Sequence, residues 1–410
     1  MDLGSLGGVG RSQALMSGLL TNALLSLPLV GAYAMFALGI VVIYRASNVL
    51  NLAHGAMAAL PAYIAYALVE AGLPIWLGLL AAIISGAVLG LLIELLVMRP
   101  LRDASDTTQT VGTVAILGIL LAVVARIWGT APLRAPDVFP VGGIPVGQTG
   151  ISYGEIGLLA VSVFVGIGFT FIFQRTSLGL IMRGAADNAR AAVLMGVNPD
   201  QTRRIAWAMG GGLAALAGVL LAAATSLHPY TLSRQVLPAF VAALIGGLSS
   251  LSGAIIGSLV VGLVQGIVSS IGPLADQAGS PQLALAILAL VVMAVRGRQF
   301  SVAASGGART TSGMPQKRMR VTKWKLAAGA AILPALVAWP YLPVPPWLLA
   351  NANLAAIFTV IGVSLVVLTG WVGQISLAQG AFVGISAFTT GLLVREAGIP
   401  FPLNLPLAAA

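Results

Sequence analysis

The sequence predicts an all-α, polytopic transmembrane helical bundle with about eleven or twelve membrane segments. Three observations predict it. Only 8% of the residues are charged and 58% are hydrophobic, whereas soluble domains carry roughly 25% charged residues, so a water-facing surface could not be covered. Uncharged stretches run from Ser12 to Tyr44, Ala46 to Val69, Ile205 to Ser233 and Leu326 to Val394, and one crossing needs about 20 apolar residues. The short segments of alternating polarity that a membrane β-barrel requires do not occur.

Apolar segments fall at 17–43, 52–70, 75–97, 109–128, 154–174, 205–227, 236–248, 253–271, 281–295, 326–343, 347–370 and 376–394. The first contains "GAYA" (Gly31 to Ala34), which is similar to a small-residue cleavage site. Asp2 and a single Arg precede it and the apolar run is too long for a signal peptide, so it reads as a retained helix. Segment 236–248 is short for a full crossing and reads as tilted or re-entrant.

Lys and Arg gather between segments, as the positive-inside rule expects. Arg99 and Arg102 lie in 99–108, five arginines in 175–204, and eight basic residues with no acid in 296–325. With these three stretches cytoplasmic, the segments alternate consistently and the N-terminus lies outside, in a plasma (inner) membrane. The net charge of +10 is therefore loop topology and lipid-headgroup attraction, not a nucleic-acid surface.

The Gly/Ser/Thr-rich and then basic stretch Val302 to Arg320 divides the chain. The expected organisation is a first unit at 1–296, a basic cytoplasmic linker at 297–325, and the start of a second unit at 326–410. The two units share a sentence. "NLAHGAMAALPAY", within Asn51 to Tyr66, aligns without gaps with "SLAQGAFVGISAF", within Ser376 to Gly391, and "EAGLP" at Glu70 recurs as "EAGIP" at Glu396. Both copies begin inside and end outside, which predicts two pseudo-symmetric halves around one path. The second copy stops early, so a truncated second half is expected.

Chemistry-bearing motifs are scarce. There is no cysteine, no H-E-x-x-H, no G-x-S-x-G elbow and no G-x-x-x-x-G-K-[ST] phosphate loop. No enzyme, cofactor or metal is expected. His54 is an intramembrane polar residue and so a functional candidate. Its counterpart Gln379 cannot titrate near neutral pH, so what the pair shares is hydrogen bonding. With Asn51 and Ser376 one turn earlier, these residues read as path-lining or helix-packing groups. Gly86 and Gly90, Gly253 and Gly257, and Gly262 and Gly266 stand at close-packing spacing. The glycine-dense "MGGGLAALAG" (Met209 to Gly218) suggests a bend.

The loop "TSLGLIMRGAADNARAAVLMGVNPDQTRRIAW" (Thr176 to Trp207) is the most informative. Asp187 to Met195 reads as a short helix stopped by Gly196 and followed by turn chemistry. Its core, Arg190, Ala191, Ala192 and, four residues on, Gly196, resembles the Glu-Ala-Ala-x-x-x-Gly loop of ABC-importer permeases, with Arg190 in place of the acid. Together with "NLAHGAMAALPAY" and "GGLSSLSGAIIG" (Gly246 to Gly257), it makes residues 17–300 resemble the first permease of branched-chain amino acid ABC importers. "LTGWVGQISLAQGAFVGISAF" (Leu368 to Phe388) resembles the start of the partner permease. The resemblance implies an ABC-importer permease fold, ATPase subunits docked on the loop around Asp187, Arg190, Ala191, Ala192 and Gly196, an extracytoplasmic substrate-binding protein, and another permease subunit. Branched-chain amino acids and amides or urea are not separated by these motifs. An ATP-independent channel or ion-coupled carrier is the rival class. It is weakened because Glu70, Glu94 and Glu155 sit near segment ends.

The orientation has a direct test. Cysteines introduced at Ser177 and Ser305, in this cysteine-free background, are expected to resist an impermeant thiol reagent in intact cells. Ready labelling of both reverses the topology.

Overall fold

The computed structural model describes residues 8–146, 149–187, 189–275, 277, 279–306, 345–371, 378–400 and 403–409. Within them the chain is helical apart from loops and one short hairpin. It divides into two compact units, Met1–Ala308 and Arg309–Ala410.

In the first unit, α1 (Gly8–Ser47), α2 (His54–Glu70), α3 (Ile75–Ile93), α4 (Asp106–Trp128) and α5 (Tyr153–Arg175) follow one another along the chain. A π-helical turn, Glu94–Met98, extends α3. Strands β1 (Gly143–Val146) and β2 (Thr149–Ser152) form an antiparallel hairpin before α5, with Gly143 opposite Ser152 and Val146 opposite Thr149. Ser152 and Glu155 then form a capping box that starts α5. Two short helices follow, α6 (Ser177–Asp187) and α7 (Ala189–Leu194). The long α8 (Pro199–Ala224), the short α9 (Pro229–Arg234), α10 (Val236–Gly246), α11 (Leu251–Val268), α12 (Gly272–Ala275) and α13 (Ser280–Gly306) complete the unit.

Seven described helices are long and apolar enough to span a bilayer: Thr21–Ser47, Ile75–Met98, Thr108–Trp128, Tyr153–Arg175, Pro199–Ala224, Leu251–Val268 and, in the second unit, Pro346–Leu368. Shorter apolar helices stand at α2, α10, Ser280–Arg296 and Gln379–Arg395. The expected segment 326–343 lies outside the described residues. Helix α13 runs on to Gly306, so the stretch expected to open the linker at 297 is helical for its first ten residues. The rest of that linker, from 307, lies outside the described residues.

Helix α8 is the hub of the first unit. It is unbroken through "MGGGLAALAG", where a bend was expected, and those glycines serve close packing instead. A Cβ on Gly86 of α3 would lie 2.5 Å from both the Gly211 carbonyl and the Ala215 methyl of α8. One on Gly218 would lie 2.6 Å from the Ala58 carbonyl of α2, and one on Gly210 2.6 Å from Ile43 of α1. In lipid, helices are not driven together by apolar burial, so contact this close supplies dispersion energy that bulkier residues would forfeit. The other glycine pairs behave alike. Gly253 and Gly257 of α11 meet Gly246 and Ala242 of α10, and Gly262 and Gly266 meet Val30 and Ser26 of α1.

The "GGLSSLSGAIIG" motif is the α10–α11 hairpin. Gly247 (φ +94°) ends α10 in the left-handed region, and Leu248 (φ +55°) follows it there, held by burial and by donating its N–H to the Ala243 carbonyl. Ser250 then caps α11 by accepting from Gly253 N–H.

Where both copies are described, from Ala53 and from Ala378, the repeated sentence takes the same local structure in both units. Each copy starts a 17-residue helix, at His54 and at Gln379, after an αR alanine, Ala53 or Ala378. Each is followed by a left-handed glycine, Gly72 (φ +93°) and Gly398 (φ +63°).

The α3–α8 contact is expected to be intolerant of a single methyl. Gly86→Ala should lower stability by about 1–3 kcal/mol, read as a fall in the thermal midpoint of the purified chain. Gly118→Ala in α4, where a Cβ meets nothing within 4 Å, is the matched control. Equal midpoints for the two variants would refute the hub.

Candidate functional site

The helix-2 start is built by Asn51. Its Oδ1 accepts from Ala53 N–H at 3.1 Å, and its Nδ2 donates to Met57 Sδ at 3.1 Å. Thr113 of α4, fully buried, secures the same turn. Its Oγ1 accepts from Leu52 N–H at 3.1 Å and lies 2.7 Å from the Thr110 carbonyl and 3.2 Å from the Leu50 carbonyl, to either of which it can donate. Asn51 is 4% exposed, and it shapes the turn.

His54 is fully buried. Its ring stands edge-on to Phe36, with centroids 6.0 Å apart, and fills the hollow left by Gly39: a Cβ there would lie 2.6 Å from Cε1 and Nε2. The Phe36 carbonyl faces the ring, but neither ring nitrogen reaches hydrogen-bond geometry with any described group. Gln379, by contrast, donates through Nε2 to Ser364 Oγ at 2.8 Å. The hydrogen bonding expected to unite the pair is seen at Gln379, while the His54 ring is packed against Phe36 and Gly39 with the Phe36 carbonyl as its polar neighbour. Ser376 lies outside the described residues.

In the loop, Thr176 ends α5 and accepts from Gly179 N–H to open α6. Gly179 and Met182 are buried against the bundle, and Leu180 and Ile181 are exposed. Asp187 is the last residue of α6, and Arg190 the second of α7. Helix α7 ends as expected at Gly196 (φ +84°), and Asn198 caps α8 by accepting from Asp200 and Gln201 N–H.

Ala192 is 7% exposed, and its carbonyl accepts from Met195 and Val197 N–H, so in this structure it packs within the loop. Ala191 and Gly196 are exposed. The outward tip is apolar: Val193 is 52%, Leu194 88% and Met195 84% exposed. Sequence reasoning singled out the alanines and the glycine and assigned these three residues no role.

A charge cluster anchors the loop. Asp200 Oδ2 lies 3.4 Å from Arg102 and 4.0 Å from Arg99. Glu94, 2% exposed, lies 3.4 Å from Arg203 Nε. The π-turn, in which Arg99 N–H donates to the Glu94 carbonyl at 2.7 Å, ties these two residues together at the C-terminal end of α3. Glu94 therefore binds α3 to the first turn of α8. The signal for it was an acid inside the run "LLIELLVM". Among the described residues no His, Asp and Glu cluster could hold a metal ion.

A bundle of apolar helices long enough to cross a bilayer, with a structured charged loop, is a polytopic membrane protein. The family model for the branched-chain amino acid transport system / permease component matches residues 22–296. The chain is 31% identical over 249 residues to the probable branched-chain amino acid transport permease protein LivH of Methanocaldococcus jannaschii, covering 57% of this chain and 76% of that one. It is 26% identical over 275 residues to the high-affinity permease protein LivH of Salmonella typhimurium, covering 64% and 89%. It is 27% identical over 248 residues to BraD of Pseudomonas aeruginosa, covering 57% and 80%. The chain belongs to the branched-chain amino acid permease family of ABC transporters. It is a multi-pass membrane permease and not an enzyme.

The fit of His54 against Gly39 is expected to show as coupling. Gly39→Ala alone should lower stability by about 1–3 kcal/mol. In a His54→Ala background the same methyl should cost at least about 1 kcal/mol less. Additive effects in thermal unfolding would remove the packing role of His54.

Proposed function

We propose that this chain is the permease part of an ATP-driven importer of branched-chain or related amino acids in the inner (plasma) membrane. An extracytoplasmic binding protein delivers the substrate, and cytoplasmic ATPase subunits dock on the α6–α7 loop. Family membership supports the transport role, and the names of the relatives support the substrate class. The observation that carries the coupling is the loop itself. An apolar tip of Val193, Leu194 and Met195 stands on a stem fixed by the Gly196 stop, the Asn198 cap and the Asp200 ion pairs. Exposed apolar surface of this kind marks a contact, and the chain has no phosphate loop of its own. Asp187, Arg190, Ala191 and Gly196 flank the tip in sequence.

The second unit is proposed to be the start of a partner permease fused to the first. The shared local structure of the two repeat copies supports that reading.

Burying a Leu or Met side chain contributes about 1.5–3 kcal/mol. Leu194→Asp with Met195→Asp should therefore lower ATPase co-purification at least about tenfold at equal membrane levels of permease. ATP-driven uptake should fall in parallel. Retention of ATPase and uptake at wild-type levels would remove the loop as the coupling site. Chain-dependent uptake of urea or acetamide in place of L-leucine would move the substrate to the amide class.

A further inference from the structure

Arg234 stands at an unusual depth. Helix α10 has eleven residues, about 16 Å of helix, roughly half of the about 30 Å hydrocarbon core. Its Gly246 end meets the basic end of α13, where Arg296 donates to the Ile245 carbonyl at 2.6 Å. Arg234 closes α9 immediately before α10 begins, and with α10 upright and its Gly246 end at the membrane edge that sets it near the middle of the crossing. A cation at that depth faces a partner or a cavity, because hydrocarbon cannot solvate it. Among the described residues no carboxylate pairs with it. It lines a cavity of about 840 Å³ between α1, α9–α10, α11 and α13.

The α10–α11 register brings a second group to the same level. Gly246 packs on Gly253, and Ala242 on Gly257. Continued by two more turns, that antiparallel pairing sets Arg234 level with Gln265, which lines the same cavity. The Gln265 side chain lies beside the Tyr33 hydroxyl. Its Oε1 is buried and accepts no hydrogen bond among the described residues. An obligate donor and an unpaired buried acceptor thus share one cavity. Leu29, Phe240 and Leu285 supply apolar wall.

We propose that this cavity is a binding site for a zwitterionic α-amino acid with an apolar side chain. Arg234 binds the carboxylate, Gln265 Oε1 accepts from the ammonium, and the hydrocarbon side chain lies on the apolar wall. Both polar contacts are charge-assisted, and an amide or urea would leave Arg234 without its anion. The proposal rests on the permease reading above and adds the place and the recognition chemistry.

The full-length chain in nanodiscs is probed with radiolabelled L-leucine, with unlabelled L-leucinamide (no carboxylate) and 4-methylpentanoate (no ammonium) as competitors. The wild type should bind L-leucine and prefer it over each competitor by at least about tenfold. Arg234→Gln should weaken L-leucine by a similar factor and erase its advantage over L-leucinamide, with Arg234→Lys restoring part of it. Gln265→Leu should erase the advantage over 4-methylpentanoate. Selective loss of one discrimination is not produced by misfolding, which lowers all binding together. Unchanged affinity and discrimination in both variants, or no L-leucine binding by the wild type, overturns the site. Uptake by cells of the source organism separates the two readings. L-leucine uptake that needs the chain but tolerates both variants sinks the site alone. L-leucine uptake that does not need the chain sinks the substrate reading and the site with it.

Discussion

The first unit depends on how closely α8 approaches its neighbours. Gly210, Gly211 and Gly218 bring α8 backbone against α1, α3 and α2 in turn, and Gly86 and Gly90 complete the α3 side. Trp207 is fully buried on the same helix. A membrane interior gives helices no gain from hiding apolar surface, so contact must come from shape. Once α8 is seated, the positions of the other parts follow. His54 is closed in between Phe36 and the hollow at Gly39, and the first turn of α8 becomes the rigid end of the charged loop.

That rigid end joins two kinds of interaction that behave differently. The Asp200 pairs with Arg99 and Arg102 are partly exposed and individually weak, of order 0–1 kcal/mol for a surface pair. The Glu94–Arg203 pair is withdrawn from water, with Glu94 2% and Arg203 15% exposed at their side chains. Removing one member of such a pair leaves an uncompensated charge, a loss of about 3–5 kcal/mol. The loop is therefore anchored by one costly pair and trimmed by two light ones. These pairs join the first turns of α8 to the C-terminal end of α3 and the stretch that follows it.

Much of this was legible in the sequence, for identifiable reasons. The apolar runs gave the helices, because crossing length and charge exclusion act on composition alone. The short segment before "GGLSSLSGAIIG" is the eleven-residue α10, and Gly196 stops α7 where a left-handed residue was needed. What escaped depends on which way a side chain turns. Ala192 faces inward while Leu194 faces out, and no spacing rule over a six-residue helix decides that. Glu94 looked like a segment-end acid, and only the π-turn and a partner 109 positions away, Arg203, reveal it as buried. Thr113 carried no signal, since its role is to hold a turn formed by residues about sixty positions earlier. His54 and Gln379 occupy equal places in the repeat, yet their surroundings differ, and surroundings are not written in a local alignment.

The matched ends of the two repeat helices bear on how such a chain is made. Each helix opens after an αR alanine and is followed by a left-handed glycine, all within about twenty residues of one another. Their limits thus carry local signals at both ends, to which Thr113 of the later-made α4 adds a hold on the start of the first copy. A chain of apolar segments emerges from the ribosome one segment at a time, and unpaired apolar surface at that stage is what aggregates. Segments that carry their own end signals on emergence can enter the bilayer in order, leaving the choice of neighbour for later.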